Sequence, residues 1–318
     1  MAAPLVPQEI YLLERYASRD YFERLVDAFA CCVKAAEDAL AKFMTQLPPD
    51  YRSRPLWQQP DATWGETVLP NLRLTLASLN TGFVQVSNGD LTGLSFAGNV
   101  DTAFGALQRD YDSEWMVEPE QARFDACMRE ASKLASNIFK TAQHQWRAGT
   151  LTVNYQAETR GDLDAPAAWP SYRATQGVQV ATGSPVPRSG IYLPDRNDSS
   201  AQFLIKGHGA PQCSVPRKHP DPAVLSAARD LFDTTWTFVE RTSDVGGGIP
   251  LPRDPDAVTA ALRCEAGQPC PKAGWWITPA SDHSRRLFAS GQIMPALASD
   301  YGHTIWQWAV DQHGDAAR

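Results

Sequence analysis

No stretch of the chain comes near the roughly 20 consecutive apolar residues that crossing a bilayer requires, so no membrane-spanning helix is expected. Basic charge is not in surplus either. With 29 Lys and Arg against 36 Asp and Glu, the formal net charge is −7, which argues against sequence-independent binding to nucleic acid. An acidic surface of this kind suits solubility, or the steering of a basic partner. The opening residues MAAPLVPQEIYLLERYASRD lack a basic segment followed by an apolar run, and from this we expect no secretory signal and a cytoplasmic protein.

Catalytic and metal signatures are also scarce. A zinc set can be assembled on paper from Cys264, Cys270, His283 and His303, or from His208, Cys213 and His219. Neither contains the close C-x-x-C or H-E-x-x-H spacing that zinc ligands normally show. The run Gly93-Leu94-Ser95-Phe96-Ala97-Gly98 has one residue too many for a nucleophile elbow and no strand before it. Gly246-Gly247-Gly248 lacks the Lys-Ser/Thr of a phosphate loop and reads as a linker. Six cysteines would allow disulfides only in an oxidising compartment, and without an export signal none is expected, although Cys264 and Cys270 leave a bridge or redox pair as an alternative. These absences lead us to expect no catalytic residues, no cofactor and no metal.

What is present divides into two kinds of pattern. Residues 8–47 read as helix with a break near Ser18 and a capping-box form at Asp20-x-x-Glu23. Phe22, Leu25, Phe29, Val33, Ala36 and Leu40 then define one apolar face. Pro70 suits the first turn of a second helix ended by Gly89, Asp90 can cap a short one, and a third long helix runs from Pro119 through Trp146 toward Gly149. From Leu151, Val153 and Tyr155 onward the period becomes two, with dense proline and glycine, which signals strands. The predicted class is α+β, with an α-helical bundle over 1–149 and a β-rich domain over 150–318.

The β-rich half contains an internal repeat, about 178–240 and 262–310. GSPVPRSGIYLPDRNDSSAQFLIKGHGAP from Gly183 is matched by GQPCPKAGWWITPASDHSRRLFASGQIMP from Gly267, an offset of 84 residues. Matched glycines and prolines describe a repeated backbone path. Phe203 and Phe288 match only with a one-residue slip, and Pro222 to Phe232 reads as a helix inserted in the first copy alone. Trp236/Phe238 and Trp306/Trp308 form aromatic stripes, read first as core. Cys264 and Cys270 align with Val180 and Val186, which points to buried thiols. Trp275, Trp276, Arg285, Arg286 and His303 belong to the second copy alone. Trp and Arg dominate binding hot spots, so these five are the candidate partner-binding residues. Strand alternation turns one of Trp275 and Trp276 inward and the other outward.

The segments Tyr16-Ala17-Ser18-Arg19-Asp20-Tyr21, LPPDYRSRPLWQQPDATWGETVLPNLR (47–73), Asn88-Gly89-Asp90-Leu91, Ala97-Gly98-Asn99-Val100 and the closing CPKAGWWITPA, SRRLF, GQIMP and TIWQW runs resemble bacterial polymorphic-toxin immunity proteins. The similarity is to the immunity protein 71 and immunity protein 72 families of type VI secretion loci, and it spans about Tyr11 to Trp308. It implies a cytoplasmic antidote that binds a cognate toxin, encoded by the adjacent gene, and blocks its active site. Direct nucleic-acid or membrane binding is not implied. A metal-dependent hydrolase and a carbohydrate- or peptide-binding module are the alternatives.

Overall fold

The computed structural model describes residues 2–217, 229–250, 263–278, 284–297 and 304–308. Helices come first and antiparallel sheets follow, an α+β protein. The chain separates into two compact units, Met1–Pro250 and Leu251–Arg318.

The helical part begins with α1 (Pro7–Tyr16) and α2 (Arg19–Met44). The break falls where the sequence placed it, but the cap is Ser18 and not the Asp20 box. Ser18 Oγ accepts the amide of Tyr21 at 3.2 Å, relieving one of the unbonded first-turn N–H groups. Phe22, Leu25, Phe29, Val33 and Ala36 of α2 are buried against α5 (Glu120–Ala142), which contributes Phe124, Leu134 and Ile138. Each of the larger side chains stabilises the packed state by about 1.5–3 kcal/mol relative to exposure. Contrary to expectation, a disulfide joins Cys31 of α2 to Cys127 of α5.

Between these partners lie α3 (Leu69–Ser87), with Pro70 in its first turn, and α4 (Gly98–Asp110). The stretch Asp61–Val68 is a π-helical turn that places Trp64 inside, its indole N–H donating to Asp112 O at 2.9 Å. Gly93 sits in a 3-10 turn laid directly on α3. A Cβ there would come within 2.5 Å of Gly82 O, so the glycine serves backbone contact and not a nucleophile elbow.

The last long helix stops at Ala142, short of the expected Trp146. His144 takes the left-handed conformation (φ 54) usually left to glycine, and Gln145 N closes onto Lys140 O at 2.9 Å. Leu151 to Tyr155, predicted as strand, is a series of turns in which Leu151 is buried and Val153 exposed. The first strand starts only at Pro170.

Strands β1 (Pro170–Ala181), β2 (Gly190–Pro194), β3 (Gln202–Leu204) and β6 (Thr235–Gly246) form a sheet of order β1-β6-β2-β3, and β4 (Cys213–Pro216) pairs with β5 (Arg229–Phe232). Within the predicted inserted helix, Arg229–Phe232 is therefore strand. The rest of that segment lies outside the described residues. In the second unit β7 (Arg263–Glu265), β8 (Gly274–Ile277), β9 (Arg286–Phe288) and β10 (Ile305–Trp308) form a sheet of order β7-β10-β8-β9, the same topology.

The expected boundary at 149/150 is thus only a change of secondary structure. The compact units meet at 250/251 because the first β module shares the helical core: Ile191, Leu193, Phe203, Ile205 and Val239 belong to the same buried cluster as α1, α2 and α5.

Candidate functional site

The two β modules repeat each other bond for bond. Val186 N donates to His208 O and Cys270 N to Gln292 O, while Gly183 N donates to Ala210 O and Gly267 N to Met294 O. The bridge Pro185↔Gly209 recurs as Pro269↔Ile293. Tyr192 OH donates to Arg188 O at 2.7 Å, and in the matching place Trp276 Nε1 donates to Lys272 O at 3.1 Å. Arg188 lies 4.7 Å over the ring of Phe238, and Lys272 lies 4.7 Å over that of Trp308. Gly190 and Gly274 share φ 150 and 154, and at Gly190 a Cβ would come within 2.6 Å of Phe238 Cε2.

Register corrects the sequence alignment at one point. Gly190 pairs with Leu204 and Gly274 with Phe288, so Phe288 answers Leu204 at the full offset, without a slip. Leu287 therefore answers Phe203.

Each module keeps one sheet face for its own small core. Val180, Val186, Tyr192, Leu204 and Trp236 fill the first, and Cys264, Cys270, Trp276, Phe288 and Trp306 the second. Cys264 and Cys270 are buried free thiols, as expected, and burial pushes the Cys264 thiol up.

The opposite face of the first module docks on helix. Ile191, Leu193 and Phe203 are at most 7% exposed, against a layer in which α1 meets β2 and β3. Polar clamps surround this contact. Ala3 N donates to Pro194 O at 2.9 Å, Ser200 Oγ donates to the carboxyl of Glu9, and Tyr172 OH donates to Glu14 Oε2 at 2.8 Å. Gln202 bonds the backbone of Trp146 through both ends of its amide.

The same face of the second module carries Trp275, Ile277 and Leu287 where the first has Ile191, Leu193 and Phe203. Trp275 pairs with Leu287 across β8 and β9, Ile277 with Gln307 across β8 and β10, and Ile305 lies two residues from Gln307 on that face. Leu287 is 62% exposed, Ile305 40% and Ile277 39%. The Arg285 guanidinium stands 4.9 Å over the half-buried Trp275 ring. Comparison with family models, with curated proteins and with solved structures finds no match to this chain.

The five sequence-chosen residues are sorted by this geometry. Trp275 and Arg285 come together on the outer face, and Arg286 is exposed on the edge strand β9. Trp276 is the correction: it is fully buried, its indole donating to Lys272 O, so it supports the face from beneath and is not part of the exposed surface. His303 lies outside the described residues. Ile277, Leu287 and Ile305 were missed. The one-residue slip assigned to Phe288 hid the match of Leu287 to a docking position.

Proposed function

We propose that the chain acts by binding, as an immunity protein that neutralises a cognate bacterial toxin of type VI secretion by covering its active site. The resemblance read from the sequence motivates this. The observation that carries it is the second module: it repeats a sheet whose outer face, in the first copy, is a docking surface, and it presents that face with Leu287, Ile305 and Ile277 exposed. An exposed apolar patch flanked by Arg285 and Arg286 has the composition of an interface centre.

An antidote must hold its toxin tightly, at nanomolar to picomolar Kd, or about −12 to −16 kcal/mol. Such strength is reached in interfaces of roughly 1,600 Å² when a few apolar and arginine anchors are fully desolvated. Cytoplasmic residence belongs to the same proposal. The Cys31–Cys127 bridge runs against it, because structural disulfides are characteristic of oxidising compartments.

Co-expression with the product of the adjacent gene tests the function. The neighbour should be toxic alone and harmless with this chain, and the two should co-purify one to one. A toxic neighbour against which this chain gives no protection overturns the proposal.

A further inference from the structure

A cavity of about 550 Å³ lies within the first unit, lined by the end of α5, the turn that follows it, and strands β4 and β5. Lys140, Arg147, Arg160 and Arg229 line it together with His144, and among the described residues no carboxylate does. None of the four cations has an ion-pair partner within 4.0 Å among the described residues. Several arginines elsewhere are paired, as Arg54 is with Asp50 at 2.9 Å.

Two of the guanidiniums are held in place from behind. Arg229 donates to Ser214 Oγ at 2.6 Å and to Ser214 O at 2.9 Å. Arg160 lies 4.9 Å over the buried Trp146 ring and reaches Asn137 Oδ1 at 3.4 Å. His144 Nδ1 is buried without a hydrogen-bond partner.

Bringing like charges together in a recess is unfavourable unless something offsets it. Lys140 is held below its usual range by burial and then by Arg160 and Arg147, with Asp101 opposing. Arg229 is lowered by burial and by Arg147, with Asp198 opposing. The hydrogen bonds of Arg229 and Arg160 fix where these two cations stand, but they supply no negative charge to offset the cluster.

We propose that this cavity binds a phosphate-bearing small molecule, its oxyanions held between Arg160, Arg229, Arg147 and Lys140. The planar guanidinium fork matches phosphate oxygens in pairs, and the ammonium of Lys140 adds a point charge. A cavity of this size falls in the range of small-molecule sites. The recess favours a compact ligand over the flat surface of an acidic protein. The site belongs to the first unit alone, and the proposal does not depend on toxin binding.

Calorimetric titration of the full chain with pyrophosphate, at constant ionic strength, tests it. We expect saturable one-to-one binding. Lys140→Gln and Arg147→Gln should each weaken it at least about tenfold, while Arg54→Gln leaves it unchanged. Circular dichroism of each variant should match the wild type, since among the described residues neither Lys140 nor Arg147 has an ion pair to lose. Absence of saturable binding overturns the proposal, and so does binding that survives both cavity substitutions. Displacement of pyrophosphate by a hexaglutamate peptide at lower concentration also overturns it, and assigns the cavity to an acidic protein segment.

Discussion

Trp306 donates its indole N–H to Pro295 O at 2.8 Å, and 84 residues of repeat earlier the same carbonyl, that of Pro211, receives the indole of Trp236 at 2.7 Å. Both rings are fully buried. Replacing Trp306 by Phe keeps most of the ring volume but strands a carbonyl, at a cost of about 1–3 kcal/mol. Because the compact units are separate, hydrogen exchange should accelerate in β7, β8 and β10 and stay unchanged in α2 and α5. Equal acceleration in both would mean that the units unfold as one.

The division at Pro250 predicts how the chain can be cut. A fragment of residues 1–250 retains the sheet that covers α1 and should unfold in one cooperative transition. A fragment of residues 1–149 strips Ile191, Leu193 and Phe203 from the helical core and should bind a hydrophobic dye and lose its cooperative melt. A cooperative melt of the shorter fragment would restore the boundary suggested by the change of periodicity.

That boundary shows what was and was not legible. Local signals survived: the proline at the start of α3, the glycine after it, the break at Ser18, the repeat itself. The failures all have a long-range cause. Leu151 and Val153 alternate like a strand but have no partner strand among the described residues. α5 ends at Ala142, four residues before the Trp146 that periodicity had included, because Trp146 is needed against Tyr16, 5.7 Å between ring centres, and not on the helix face. Cys31 and Cys127, 96 residues apart in sequence, meet only because α2 and α5 pack side by side. At the candidate face, strand alternation alone separated Trp275 from Trp276, but Leu287 required the register of β8 on β9.

Glu9 gives a pH dependence. Burial, only partly opposed by Ser200 Oγ and the amide of Ala201, raises its carboxyl from 4.5 to about 7. Between these values the folded state holds the proton and the unfolded state releases it, so stability falls as pH rises from 4.5 to 7. The loss is on the order of 3 kcal/mol. Urea midpoints near pH 5.5 and pH 8 (about) should therefore differ in wild type, with the lower pH the more stable. Glu9→Gln, always neutral and able to keep the Ser200 contact, should remove most of that difference. An unchanged slope in the variant would place the proton elsewhere.

The Cys31–Cys127 bridge closes a long loop, and in the chain-entropy account a crosslink of this span adds roughly 2–4 kcal/mol. Reductant should lower the urea midpoint of wild type. The pair Cys31→Ser with Cys127→Ser should lower it by a similar amount and make it indifferent to reductant. Cys32, Cys213, Cys264 and Cys270 are buried free thiols and should react with a thiol reagent only on unfolding. Wild type already indifferent to reductant would mean that the bridge contributes nothing to the fold.

The second module's outer face yields the prediction closest to function. Leu287 is 62% exposed on an edge strand, so Leu287→Asp leaves the core of Trp276, Phe288 and Trp306 intact. Within a toxin interface, however, it would bury an unpaired carboxylate at a position that the repeat marks for docking. Affinity for the co-purifying toxin should drop by at least about 2 kcal/mol, some thirtyfold, and Ile277→Asp should act alike. Leu74→Asp, equally exposed at 68% but on α3 of the first unit, is the control and should bind as wild type. The reverse pattern, with Leu74→Asp weakening the complex and Leu287→Asp sparing it, would keep toxin neutralisation but move the interface to the helices.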